Sequence, residues 1–222
     1  MSVTKEYREL RVHMYNHSGA VVMPPINIDT HPNDFLHIFS CLVFGKLECL
    51  GYDPSILNIP DDPLRLPLPA PIGRILVNDH TYDILEVIFS SQGLVGRGTV
   101  CYLARRGDEE YIIKDHWVLG SKVDTLNEVK MLQAMKDVRG VPQLIDHWLV
   151  EIKPGKVDQM GLYCYKLLNS LQGAVCTHVR LVLKPCARPL YMFRTKAELL
   201  GTIRDIISSK YIFNTPPSST FN

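Results

Sequence analysis

The chain is as notable for what it lacks as for what it holds. It has almost no net charge: 24 Lys and Arg against 23 Asp and Glu leave +1. No strong field therefore draws it to nucleic acid or to an anionic membrane. It has no CxxC pair. The 6 cysteines, Cys41, Cys49, Cys101, Cys164, Cys176 and Cys186, are scattered, which fits reduced intracellular thiols. It has no apolar run suited to a bilayer. The most apolar stretch, Phe35 to Leu50, carries His37, Lys46 and Glu48, so it is too short and too polar to span and reads as a buried helix. No basic-then-apolar leader opens it, which argues against secretion, and no internal repeat is found. These absences lead to the expectation of an intracellular protein with neither nucleic acid nor membrane as a partner.

What is present suits a globular chain. The 222 residues are 46% hydrophobic and 21% charged, enough for one large domain or one domain with an added segment. Residues 1–57 read as a strand and helix extension. Leu10–Tyr15 and Ala20–Met23 flank the turn-type cluster Asn16-His17-Ser18-Gly19. Thr30-His31-Pro32 then opens a helix whose apolar side is Phe35, Ile38, Phe39, Leu42 and Val43. Gly51 can close that helix, and Asp53-Pro54 prevents its continuation. Residues 58–73 hold Pro60, Pro63, Pro67, Pro69 and Pro71, a density that excludes helix and central strand and marks a linker. A hairpin follows, Arg74–Val77 and Thr81–Phe89 around Asn78-Asp79-His80. Residues 209–222 end in a Ser- and Pro-containing tail expected to be disordered.

Between them, residues 74–208 carry an ordered constellation. Gly93-Leu94-Val95-Gly96-Arg97-Gly98-Thr99-Val100 lies between two strand-like runs. Glycines there let backbone N–H groups approach phosphate oxygens with no side chain between, although a plain turn needs the same residue. Lys114, in Tyr111-Ile112-Ile113-Lys114, follows Val100 at a distance that fits a hairpin turning at Arg106-Gly107-Asp108. A helix over Asp124–Lys136 places Glu128 on one stripe with Met131, Leu132 and Met135. A carboxylate on an inward stripe needs a cation, and Lys114 is the natural one; a solvated glutamate at the stripe's edge is the plain alternative. Val141–Trp148 reads as a loop entering a strand, with His147 a packed or surface residue. Arg180–Leu183 reads as another strand, leading into Lys184-Pro185-Cys186. A helix over Thr195–Ser208 presents Leu199, Leu200, Ile203, Ile206 and Ile207 on one side. That side is expected to be partly exposed unless the Phe35–Val43 face covers it.

In this order the runs resemble the fungal-type protein kinase family, a divergent branch of the protein kinase fold. The matching runs are Ser18-Gly19-Ala20, Leu50-Gly51-Tyr52-Asp53-Pro54, Leu94–Thr99, Tyr111–Asp115, Gly140–Leu144 and Arg188-Pro189-Leu190. The resemblance implies an α+β fold: a kinase-like small lobe, made of an antiparallel sheet plus one helix, the N-terminal extension, and the start of the large lobe. It implies phosphoryl transfer from ATP with magnesium to Ser or Thr. It implies nucleotide contacts from Gly93, Gly96, Gly98 and Val100, from Lys114 and Glu128, and from a hinge at Lys184 to Cys186. Kinases continue into a His-Arg-Asp catalytic loop and an Asp-Phe-Gly metal motif, and neither triplet occurs before Asn222. No catalytic or metal residue is assigned, and the chain is expected to be inactive alone, its partner being the missing large lobe or another protein. The alternative is a non-catalytic module that binds nucleotide or a partner.

Overall fold

The computed structural model describes residues 2–6, 8–17, 19–58, 70–91, 93, 96–120, 122–162, 176–186 and 190–214. Most of the linker and the end of the tail, read above at 58–73 and 209–222, lie outside them. The chain opens with β1 (Ser2–Thr4), β2 (Glu9–Arg11), β3 (His13–Asn16), β4 (Gly19–Val22), β5 (Ile26–Asn27) and α1 (Pro32–Phe44). β6 (Ile56–Asn58), β7 (Gly73–Val77), β8 (His80–Ser90), β9 (Val100–Arg106) and β10 (Glu109–Leu119) follow. Then come α2 (Lys122–Thr125), α3 (Asn127–Ala134), β11 (Gln143–Leu149), β12 (Glu151–Lys153), β13 (Lys156–Val157), β14 (Cys176–Lys184) and α4 (Lys196–Asn214).

A seven-stranded sheet in the order β11-β14-β10-β9-β8-β7-β6 dominates this mixed α/β fold. Its pairings are all antiparallel. Two tight turns carry much of the register. Asn78, φ 50°, turns β7 into β8, and Gly107, φ 62°, turns β9 into β10; Asn and Gly are the residues that reach this left-handed region at low cost. The sheet curls, so that Asn78 Nδ2 donates to Asp146 Oδ1 at 2.8 Å and to the His147 carbonyl at 3.1 Å, tying the β7–β8 turn to β11. β6, from the N-terminal segment, pairs with β7 through Ile56↔Ile75 and so joins the same sheet.

Strand alternation divides the sheet into two buried faces. One holds Ile75, Val77, Tyr82, Ile84, Ala104, Tyr111, Ile113 and Val182, with Tyr82 and Tyr111 edge-to-face at 5.4 Å. The other packs Val179 and Leu181 under Val129 of α3, flanked by Leu126 and Leu132. Full burial of each large side chain contributes roughly 1.5–3 kcal/mol, so both faces stabilise the same strands. Among the described residues no helix is long and apolar enough to cross a membrane.

Three helix readings need correction. The stretch Phe35–Leu50 is not one buried helix. It stops at Phe44, where Gly45 turns extended with φ −65° and ψ 151°. A Cβ on Gly45 would stand 2.1 Å from the Cys41 carbonyl oxygen. A short 3-10 turn, Leu47–Leu50, follows, and Gly51 closes that turn instead of the helix. α1 itself has no buried residue: Leu36, Phe39, Leu42, Val43 and Phe44 are exposed. Apolar periodicity marks a face that could be buried, and among the described elements little packs on it. The helix over 124–136 is two pieces broken at Leu126, φ −87° and ψ 2°. Its inward stripe is Leu126, Val129 and Leu132, while Met131 is exposed. α4 starts as expected, the Glu198 N–H donating to Thr195 Oγ1 at 3.1 Å, one half of a capping box. It does not stop at Ser208: it runs on to Asn214, so 209–214 are helix and not the start of a disordered tail. Leu200, Ile203, Ile206 and Ile207 are exposed, as expected of this side.

Candidate functional site

Lys114 stands on β10, between β9 and β14, in register with Cys101 and Leu181. A central strand holds its Cα firmly, and its side chain is only 22% exposed. Glu128 lies in the first turn of α3, one residue off the centre of the buried stripe. From that edge it reaches back to the sheet, and Lys114 Nζ donates to Glu128 Oε1 at 2.5 Å. The other carboxylate oxygen faces His116, two residues along β10 on the same face and 1% exposed. His116 Nε2 comes within 3.3 Å of Glu128 Oε2, off the line of a well-formed hydrogen bond. The His116 imidazole and then the Lys114 ammonium outweigh partial burial and hold the Glu128 carboxyl down to about 2. Burial pushes the neighbouring Cys101 thiol up, so this cysteine stays protonated beside the pair.

The glycine segment runs along the end of the same strands. Gly93 is exposed, and Leu94 and Val95 lie outside the described residues. Ser91 N–H donates to the Thr99 carbonyl at 2.8 Å and Trp117 N–H to the Arg97 carbonyl at 2.7 Å, which extends the ladder beyond Val100, the first residue of β9. Gly96 and Gly98 have φ 121° and 49°. A Cβ at Gly98 would sit 2.0 Å from the His17 ring, and Gly96 N–H donates to the His17 carbonyl at 3.1 Å. The close approach that excludes a side chain at position 98 is thus to His17, in the β3–β4 turn. His17 in turn lies 5.8 Å from Trp117, whose ring is on the sheet face opposite Lys114. The turn braces the glycine segment from behind.

Lys184 is the last residue of β14, and Cys186 lies two residues beyond it. Lys184 Nζ pairs with Glu109 Oε1 at 2.8 Å and lies 4.6 Å from the centre of the Tyr111 ring. Cys186 is half-buried, and burial pushes its thiol up. The structure thus joins Lys114 directly to Glu128, sets Val100 one register step from Lys114 on the neighbouring strand, and engages Lys184 with a different acid. An open recess at the β9–β10 turn, lined by Asp83, Arg105, Gly107, Asp108 and Glu110, includes none of the expected site residues.

A buried polar cluster on the opposite face of the sheet was missed from sequence. Arg180 of β14, fully buried, pairs with Asp53 through Nη2 and with Asp115 Oδ1 through Nε at 3.1 Å. Its Nη1 donates to Ser55 Oγ at 2.6 Å and to the Leu76 carbonyl at 2.9 Å. Beside it, His178 places Nε2 2.7 Å from Asp115 Oδ1 and Nδ1 3.2 Å from Asp158 Oδ2, and stacks on Trp117 at 4.5 Å. Burial alone would raise the Asp115 carboxyl; Arg180 and His178 outweigh it and bring it to about 2. Burial alone would lower His178; Asp115 and Asp158 outweigh that and lift it to about 9. Asp53, Asp115 and His178 lie close enough to share a metal ion, but the Arg180 guanidinium already supplies the positive charge there. These residues do not fit magnesium. A readable signal existed: in Thr177-His178-Val179-Arg180-Leu181, two ionisable residues, His178 and Arg180, stand two apart in a largely apolar strand, which puts both on one face.

The fungal protein kinase family model matches residues 1–169, a span that includes Gly93, Gly96, Gly98, Val100, Lys114 and Glu128, while Lys184 and Cys186 fall outside it. No curated protein and no solved structure matches the chain. With more than half of its length matched, the chain belongs to the fungal protein kinase family.

Proposed function

We propose that this chain is the nucleotide-holding part of a fungal-type kinase, with β8, β9, β10, β11, β14 and α3 forming its small lobe. One observation carries this reading. A family member's central-strand lysine is ion-paired to a glutamate on the helix that packs against the same sheet, the pair that holds the lysine toward ATP phosphates in protein kinases. ATP fits here through Lys114, through the backbone of the glycine segment and through the carbonyls around Lys184 to Cys186. The 1–57 extension serves as a brace, since Asp53 and Ser55 bond Arg180 and His17 backs Gly98. The chain holds neither a His-Arg-Asp nor an Asp-Phe-Gly triplet, so phosphoryl transfer to Ser or Thr is assigned to a fuller assembly and not to these residues alone.

Binding of a fluorescent ATP analogue to the purified chain tests the reading. Lys114→Met is expected to weaken it at least tenfold, about 1.4 kcal/mol. Equal binding by wild type and variant, or none by wild type, would overturn it. A second reading, a module that binds a protein instead of nucleotide, is favoured by the exposed apolar residues of α1 and α4. It gains ground if the wild type ignores nucleotide.

A further inference from the structure

His116 has no place in the kinase-like pattern, yet it is the most buried ionisable side chain on the Lys114 face of β10. Its position costs something. Nδ1 is buried with no hydrogen-bond partner, and Nε2 has only the Glu128 contact. A leucine of similar volume would fill the space without stranding a polar atom. What histidine adds is a nitrogen 3.3 Å from Glu128 Oε2, on the opposite side of the carboxylate from Lys114 at Oε1.

Glu128 needs that second hold. It is 33% exposed and sits at the start of an eight-residue helix that follows a break at Leu126. A helix this short sets the direction of a long side chain loosely, and one ion pair to an equally long lysine leaves both ends free to swing. A contact from a buried ring fixed on a central strand removes much of that freedom. We propose that His116 is a positioning residue: it steadies Glu128 through Oε2, so that Oε1 keeps Lys114 aimed along the face where nucleotide would lie. The steadying of Glu128 stands on geometry alone, while its effect on nucleotide rests on the function proposed above.

The groups facing the Glu128 carboxylate are Lys114 and His116 on β10 and Cys101 on β9. Carboxyl-carbon NMR of Glu128 in the nucleotide-free chain reads the contact directly. Wild type is expected to titrate near 2. His116→Phe should raise that midpoint by about one pH unit or more, and His116→Gln, which returns an N–H donor near the Nε2 position, should restore most of it. If His116→Phe does not fold, His116→Asn, whose amide lies at the Nδ1 position, replaces it in the comparison with His116→Gln. An unchanged Glu128 midpoint in a folded Phe or Asn variant would overturn the proposal. Affinity for the ATP analogue should fall about five- to tenfold in the Phe variant and recover in the Gln variant. Wild type that binds no nucleotide overturns the functional reading, while the Glu128 titration still decides the role of His116.

Discussion

His178 makes stability depend on pH in a direction that can be worked out. Both ring nitrogens face carboxylates, Asp115 at 2.7 Å and Asp158 at 3.2 Å. Only the doubly protonated ring can donate from both. Burial opposes that charge, but the two carboxylates win and lift the pKa from 6.5 to about 9. A group whose folded pKa is raised adds stability that is fully present below its unfolded value and is lost as pH rises through the folded one. The contribution is therefore whole near pH 6 and gone above about 9. At about 1.4 kcal/mol per tenfold change it amounts to roughly 3 kcal/mol, a large share of the 5–15 kcal/mol typical of a domain. Urea unfolding of wild type and His178→Gln at pH 6, 7.5 and 9.5 isolates it, because other titrations are common to both proteins. Wild type should be the more stable by roughly 3 kcal/mol at pH 6, and the gap should close at pH 9.5. A gap of constant size, or a His178 ring that titrates below 7 by NMR, would refute the reasoning.

Some of this was legible and some was not, for physical reasons. The hairpins at Asn78 and Gly107 could be read because turn chemistry is local, and Lys114 and Glu128 because each stands at a motif-like spacing. The stripe on α3 was misplaced by one residue. Glu128-Met131-Leu132-Met135 and Leu126-Val129-Leu132 share Leu132, and helical periodicity alone does not choose between stripes so close together on the helix surface. Exposure of α1 was not legible either: a pattern shows which side of a helix is apolar, not whether another element arrives to cover it. The Arg180 cluster escaped because its partners Asp53 and Asp115 are far from it in sequence. A search for motifs weighs neighbours along the chain, and this ion network is assembled only by the pairing of β10 with β14 and the return of the N-terminal segment. Asp115, adjacent to Lys114, shows the point most plainly. One step along the strand turns a side chain from the candidate site to the opposite face.

Two further outcomes test the packing around these faces. Arg180→Met should cost about 3–5 kcal/mol, because, among the described residues, it takes the only paired cation from half-buried Asp53 and leaves buried Asp115 with His178 alone; denaturant midpoints check this, and Arg180→Met combined with Asp115→Asn should recover part of the loss. Gly98→Ala tests the brace behind the glycine segment. Gly98 has φ 49°, a conformation that costs an L-residue about 1–2 kcal/mol, and the added methyl would fall 2.0 Å from His17 Cε1 and 2.4 Å from Nε2. The ring must then leave its place beside Trp117, so the total should reach about 2–4 kcal/mol, with faster proteolysis of the 91–99 segment. Backbone strain and collision separate in a double-mutant cycle. Against a His17→Ala background the collision is gone and only the strain of about 1–2 kcal/mol remains. Equal cost of Gly98→Ala in both backgrounds would mean that His17 does not rest on the glycine segment, and that position 98 needs glycine for its backbone alone.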